Sequence, residues 1–287
     1  MDLITFEIII ASTAIIAGFI GALIGLGGGI IITPLLVLAF GIDIKYAMGA
    51  ALTSVVATSS GAAAAYVRDG ISNIKVGTFL SIATTLGAVL GAYLATRANV
   101  QALSVLFGVA LLIVALLSIL KKHKNHIDKP ASPLAEKLQL PGTYTEKGKT
   151  YYYPVFGVIP GFCVMYVAGI LSGLLGIGSG AFKVLGMDQI MKIPFKVTTA
   201  TSNFMIGVTA AASVGVYLKS GFIDPLLALP VALGVLLGAF IGARLLPYAP
   251  VKLLKFIFLI AIVVIGVQMI LQGFHAPITV TSTGGSH

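Results

Sequence analysis

Two glycine-rich stretches decide the fold of this chain: GALIGLGGGIIITPLL at residues 21–36 and GLLGIGSGAFKVLG at residues 173–186. In each, an apolar segment runs into a glycine cluster, and a short segment follows at once, at 30–40 and at 181–191. Glycine admits backbone conformations that break a helix and lets a neighbouring group approach closely. Each short segment would rise only about 16 Å as a helix, roughly half of a bilayer core. The pattern predicts two interrupted helices, each followed by a half-helix.

The composition is that of an integral membrane protein. Of the 287 residues, 58% are hydrophobic and only 9% are charged, and the mean hydropathy is +1.06. Soluble domains carry about 25% charged residues, so these charges are too few to cover a water-facing surface. A single cysteine excludes a disulfide framework, and every histidine lies in the linker or near the C-terminus. We therefore expect no metal and no other cofactor.

Eight other segments have the length of a membrane-spanning helix, which is about 20 residues. They lie at 3–24, 46–67, 74–96, 100–120, 153–175, 197–218, 225–247 and 251–273. With the two half-helices they form two halves of five segments each, in an all-α membrane protein. The predicted organisation is a first transmembrane repeat at 1–120, a basic linker at 121–152, a second repeat at 153–275 and a polar tail at 276–287.

The two halves repeat each other in sequence. A shift of 151 residues superimposes GLGGG (25–29) on GIGSG (176–180) without a gap. The same shift aligns further pairs: Gly18 with Gly169, Lys45 with Lys196, Tyr66 with Tyr217, Gly87 with Gly238, and Gly91 with Gly242. An internal duplication of this kind is typical of membrane transporters.

The distribution of positive charge predicts that the second half is inverted relative to the first. In one arrangement, the first helix of each half and the short segment after it return the chain to its starting side. Four lysines and arginines then lie toward one face of the membrane and fourteen toward the other. If the short segments instead re-enter from the far side, the division becomes ten against eight. Because cytoplasmic loops carry the excess of positive charge, the first arrangement is favoured. It puts both termini outside and the linker 121–152 in the cytoplasm of an inner membrane, with the lysine-rich start of the linker against anionic lipid headgroups.

The glycine clusters predict an anion site near the membrane midplane. The helix that follows each cluster starts with unpaired N–H groups and a partial positive charge, which together favour an anion. Lys183 would add positive charge, and hydroxyl and amide groups would replace the hydration shell of an oxyanion. The candidate substrate-binding residues are Gly27, Gly28, Gly29, Thr33, Thr53, Ser54, Gly178, Ser179, Gly180, Lys183, Thr201, Ser202 and Asn203.

Each candidate also has a purely structural interpretation. The glycines would serve helix packing, as small residues do between membrane helices. Lys183 would extend its ammonium group to an interface, and the hydroxyls would bond to their own helix backbone. Acids are scarce in the spans, where Glu7 is the embedded carboxylate and Asp188 lies near the end of its short helix. The coupling ion therefore stays open.

The two motifs resemble those of a known transporter family. GALIGLGGGIIITPLL (21–36) resembles the first motif of the TauE/SafE sulfite exporter family, and GLLGIGSGAFKVLGMDQIMKIPFKVTTATSNFMIG (173–207) resembles its second. The chain departs from the family pattern at Ser179, where the family often has glycine, and at Leu185, where it often has proline. The resemblance implies a transporter that moves sulfite, a sulfonate or another small anion across the inner membrane, commonly outward.

The sequence thus predicts a transporter, in which the two halves move around a midplane site by alternating access. Its partners would be a small sulfur-containing anion and the lipid bilayer, with no nucleic acid. The alternatives are an anion channel, a transporter of a non-sulfur organic anion, and a scaffold that binds a cytoplasmic partner through the linker. An intramembrane enzyme ranks last because the spans hold no nucleophile–base pair. The oligomeric state stays open.

Overall fold

A computed structural model of the chain describes residues 3–24, 29–68, 71–119, 131–146, 149–178, 180–245 and 251–275. Its helices, numbered in chain order, are α1 (Leu3–Ile24), α2 (Gly29–Phe40), α3 (Ile44–Arg68), α4 (Ile74–Arg97), α5 (Val100–Ile119), α6 (Pro133–Lys137), α7 (Val158–Leu175), α8 (Gly180–Leu185), α9 (Phe195–Lys219), α10 (Pro225–Leu245) and α11 (Val251–His275). Two strands, β1 (Gly142–Glu146) and β2 (Lys149–Tyr153), form an antiparallel hairpin.

The prediction of a helical membrane protein is confirmed. Among the described residues, α4, α7, α9 and the Pro225–Gly242 part of α10 are long and apolar enough to cross a bilayer. Large apolar side chains point outward from these helices: Ile159 is 67% exposed and Leu229 is 64% exposed. An apolar outer surface of this kind suits contact with lipid.

Glycines let two helix pairs pack with their backbones in contact. A Cβ on Gly18 of α1 would collide with the backbone of Val235 in α10, and a Cβ on Gly169 of α7 would collide with the backbone of Thr84 in α4. The 151-residue shift turns the first contact into the second, since it carries Gly18 to Gly169 and Thr84 to Val235. The sequence duplication therefore corresponds to duplicated packing between the halves.

The repeat mates α3 and α9 cross each other in opposite directions. Met48, near the start of α3, accepts a hydrogen bond at its sulfur from the Tyr217 hydroxyl near the end of α9, at 3.6 Å. At the other end of α3, Ser59 lies against Gly207, where an added Cβ would be 2.9 Å from the Ser59 hydroxyl. Residue numbers thus rise along one helix while they fall along the other.

The segment predicted at 181–191 forms two unequal parts. Helix α8 ends at Leu185, and a π-helical turn spans Gly186–Ile190. The Met191 amide closes the wide turn by donating to the Gly186 carbonyl at 3.2 Å. In the first half, α2 continues as one helix to Phe40 and accommodates Pro34 within it.

The linker is folded where the structure describes it. Helix α6, the β1–β2 hairpin and the turn between them contribute Ala135, Leu140 and Tyr153 to a cluster of buried apolar residues. This cluster also contains Val76 of α4 and Val197 of α9. This packing was not evident from the polar composition of the segment. Deleting the linker to test the scaffold hypothesis would therefore expose part of the core. The lysine-rich start at 121–130 and the tail at 276–287 lie outside the described residues.

Candidate functional site

The described glycines of the two clusters lie next to each other between α3 and α9. Gly29, the first residue of α2, packs against Val55, and a Cβ on it would lie 3.5 Å from the Gly176 carbonyl oxygen. Gly178 has a φ of +70°, a conformation that favours glycine. A Cβ there would lie 3.1 Å from both Val55 and Ile206, two residues that the 151-residue shift superimposes. Gly27, Gly28 and Ser179 lie outside the described residues.

Gly180 begins α8 and contacts the polar face of α9. The Ser202 hydroxyl donates a hydrogen bond to the Gly180 carbonyl at 3.4 Å, and Ser202 is only 2% exposed. Two candidates from opposite ends of the second motif are therefore in contact. The contact joins the start of α8 to Ser202 on α9.

Lys183 is fully buried. Its ammonium group donates to the Thr209 hydroxyl at 2.9 Å and reaches the Met205 carbonyl at 3.5 Å. Thr209 lies near the middle of α9, which spans Phe195–Lys219, so the ammonium group is at mid-length of that helix. The side chain has no exposed surface, and in this structure it points into the helix bundle, toward α9.

Thr84 and Thr209 lie in one buried cluster with Lys183, and the sequence analysis did not single them out. The Thr209 hydroxyl lies 3.0 Å from the Thr84 hydroxyl of α4 and donates to the Met205 carbonyl at 2.6 Å. The cluster of Lys183, Thr209 and Thr84 joins the second half to the first. One signal was available in the sequence, since the 151-residue shift pairs Thr209 with another threonine, Thr58.

Two of the other predicted hydroxyls and the Asn203 amide bond to backbone of their own helix. Thr53 donates to the Gly49 carbonyl at 2.9 Å, and Ser54 donates to the Ala51 carbonyl at 2.7 Å. Asn203 donates to the carbonyl of Thr199 at 3.0 Å. These contacts stay within one helix, as Ser and Thr contacts often do in membrane helices.

Thr33 differs from these hydroxyls. It is fully buried in α2, and its Oγ1 has no hydrogen-bond partner in the part of the chain that the structure describes. Buried hydroxyls without a partner are uncommon, because leaving one unsatisfied costs about 1–3 kcal/mol. Thr33 therefore retains unused hydrogen-bonding capacity in the first half-helix.

Thr201 connects α9 to the folded part of the linker through Asn73. The Thr201 hydroxyl accepts a hydrogen bond from the Asn73 backbone amide at 3.0 Å, and the Asn73 side chain donates to the Leu140 carbonyl and to the Tyr153 hydroxyl. Burial raises the pKa of Tyr153 to about 12, although the Asn73 hydrogen bond opposes part of this rise. The phenol is therefore neutral at physiological pH and fixed beside α4.

In the part of the chain that the structure describes, neither Glu7 nor Asp188 has a recorded hydrogen bond or ion pair with Lys183. Glu7 lines a groove of about 360 Å³ between α1 and α10, and Asp188 accepts a hydrogen bond from Gln189 at 2.7 Å. A second groove of about 280 Å³ lies between α7 and α8, and none of the predicted site residues lines either groove. Within the described ranges there is no group of three or more His, Cys, Asp or Glu residues that could hold a metal ion.

Comparison with known proteins gives consistent results. The family model described as sulfite exporter TauE/SafE matches residues 10–269. The probable membrane transporter protein YunE of Bacillus subtilis (strain 168) is 30% identical over 94% of this chain and 99% of its own length. A second protein of that organism, the probable membrane transporter protein YdhB, is 31% identical over 84% of this chain and 89% of its own length. The probable membrane transporter protein ORF9 of a Sinorhizobium species is 26% identical over 91% of each chain. No solved structure matches significantly.

Proposed function

The chain belongs to the sulfite exporter TauE/SafE family of membrane transporters, and on that premise we propose that it exports a small sulfur-containing anion such as sulfite or a sulfonate. The anion binds at mid-membrane, between the glycine clusters and Lys183. Two halves of inverted topology move around that site by alternating access.

The observation that carries this proposal is the surroundings of Lys183. Its ammonium group is completely buried, and both of its recorded acceptors, Thr209 and Met205, are uncharged. A lysine near the bilayer centre costs about 2.5–3.5 kcal/mol on insertion scales and is normally paired. A bound anion would supply the missing counter-charge. A compact ammonium group with three donors suits a small oxyanion that is held by one or two oxygens.

The inverted arrangement is supported by how the repeat mates pack. If the two halves had the same orientation, α3 and α9 would cross the membrane in the same direction. Their contacts instead run in opposite order, from Met48 with Tyr217 to Ser59 with Gly207. The charge distribution supports an orientation with the termini outside and the linker in the cytoplasm of the inner membrane.

Flux from loaded proteoliposomes tests the proposed substrate. Purified protein is reconstituted with sulfite inside, and efflux is followed with sulfate, sulfoacetate, thiosulfate or lactate as competitors. We expect saturable sulfite efflux that a sulfonate inhibits more strongly than lactate does. Repeating the measurement with and without a pH gradient shows whether protons are coupled to the anion.

Other outcomes would replace parts of the proposal. Flux of lactate but not of sulfite would keep the mechanism and change the substrate to a non-sulfur organic anion. A non-saturating current in a planar bilayer would favour a channel, because carriers saturate and turn over slowly. If none of the anions moves or binds, the anion site itself is wrong.

A further inference from the structure

The Thr209 hydroxyl lies at the centre of a buried hydrogen-bond network that joins three helices. Its hydroxyl oxygen lies within hydrogen-bond distance of three groups: the Lys183 ammonium at 2.9 Å, the Thr84 hydroxyl at 3.0 Å and the Met205 carbonyl at 2.6 Å. All four residues are less than 1% exposed. The contacts join α4, α8 and α9 at a single atom.

Counting donors fixes the direction of the bond between Lys183 and Thr209. A threonine hydroxyl has one hydrogen and two lone pairs. An ammonium group has no lone pair, so Lys183 donates and Thr209 accepts in the bond between them. The single hydrogen of Thr209 lies within reach of the Met205 carbonyl and of the Thr84 hydroxyl, and the Thr84 hydroxyl in turn donates to the Ser81 carbonyl at 3.3 Å.

The same count leaves Lys183 with donor capacity. An ammonium group has three N–H donors, and among the described residues only Thr209 and, at the 3.5 Å limit, the Met205 carbonyl accept from it. At least one N–H therefore has no recorded acceptor. Thr209 determines where that N–H points, because its short bond to Lys183 restricts rotation of the ammonium group.

We infer that Thr209 is a positioning residue for the transported anion: it orients the free N–H of Lys183 toward the anion, and Thr84 supports it from the other half of the molecule. This inference rests on the proposed function. Thr84 belongs to the first repeat, whereas Lys183 and Thr209 belong to the second. The charged group of the site is thus held by both halves, whose relative movement would carry the anion.

Four variants test the inference. Thr209→Val keeps the side-chain shape but removes the hydroxyl, Thr209→Ser restores the hydroxyl, and Thr84→Val removes only the support. The matched control is Thr58→Val at the repeat-mate position, where the hydroxyl donates within its own helix to the Ser54 carbonyl at 3.0 Å. Sulfite efflux gives kcat and KM, and anion-induced thermal stabilisation in detergent gives an independent measure of binding.

We expect Thr209→Val to raise KM about 10- to 100-fold, as for the loss of a hydrogen bond to a charged group, with a smaller change in kcat. Thr209→Ser should recover most of the affinity, Thr84→Val should fall between them, and Thr58→Val should match the wild type. A wild-type KM in Thr209→Val, or an equal rise in Thr58→Val, would overturn the inference while leaving the proposed function intact. A wild-type protein that neither moves nor binds any anion would overturn both.

Discussion

A lysine can be held inside a membrane protein in several ways, and the contacts of Lys183 distinguish them. An ion pair would place a carboxylate beside it, but its recorded acceptors are a hydroxyl and a carbonyl. An interfacial lysine would leave its ammonium group exposed, but Lys183 is 0% exposed. These contacts support the proposal that Lys183 serves a ligand, since ionisable residues inside the membrane often mark functional sites.

The buried Tyr153 phenol predicts how the stability of the fold depends on pH. Its pKa is raised from 10.0 to about 12 by burial, so the folded protein holds the phenol proton more tightly than the unfolded chain does. The resulting stabilisation is fully present below pH 10 and is lost as pH rises toward 12, by up to about 2–3 kcal/mol. We therefore expect the wild type to lose stability relative to Tyr153→Phe over this range.

Thermal unfolding in detergent at a series of alkaline pH values measures this difference. Near neutral pH, Tyr153→Phe should be less stable by about 1 kcal/mol, because it lacks the hydroxyl that accepts from Asn73. Tyr152→Phe is the control, since Tyr152 is 61% exposed on the neighbouring position of β2. Parallel pH curves for the wild type and Tyr153→Phe would contradict the assignment.

Sequence reasoning singled out Lys183 but not the two threonines of its buried cluster, Thr84 and Thr209. Lys183 could be singled out because placing a charged lysine in an apolar half-helix costs insertion free energy. Thr84 and Thr209 were not, because a threonine in a membrane helix most often bonds to its own backbone. Only the packing of α4 on α9 shows that these two hydroxyls meet at 3.0 Å.

For whole elements, the apolar segments predicted the helices well, because their length and composition are local properties. The predicted half-helix at 30–40 corresponds to α2 at Gly29–Phe40, and the predicted span at 197–218 corresponds to α9 at Phe195–Lys219. The linker fold was not predicted. Its hairpin is stabilised by contacts with α4 and α9 that lie far away in sequence, and local composition carries no record of them.

The inverted arrangement of the repeat mates can be tested by labelling. Lys45 and Lys196 are superimposed by the 151-residue shift and lie at the starts of α3 and α9. Each is replaced by cysteine in a Cys163→Ser background and treated on intact cells with a membrane-impermeant maleimide. We expect Lys45→Cys to react from outside, and Lys196→Cys to react only after permeabilisation.

A linker position calibrates this labelling. Leu138 is 38% exposed, and the proposed orientation puts Leu138→Cys on the same side as Lys196→Cys. Reaction of Lys45→Cys and Lys196→Cys from the same side would contradict the inverted arrangement. Reaction of Leu138→Cys from outside would reverse the proposed orientation of the whole molecule.

In the whole molecule, the duplicated helix packing and the proposed site both involve residues from the two halves. Helix α1 packs on α10 as α7 packs on α4, so each half contributes helices to both pairs. The described glycines of the two clusters lie between α3 and α9, and the contacts among Lys183, Thr209 and Thr84 join the two halves. A rocking movement of one half against the other would therefore change the surroundings of the ammonium group directly.

Sulfite efflux from proteoliposomes that contain Lys183→Met tests most directly whether Lys183 binds the anion. Methionine keeps an unbranched apolar stem but carries no charge, and Lys219→Ala, at an exposed lysine on the last residue of α9, is the matched control. We predict that Lys183→Met lowers efflux about 100-fold or more, whereas its thermal stability is equal to or above that of the wild type. Saturable efflux of Lys183→Met with a KM and rate close to the wild type would show that Lys183 does not bind the anion.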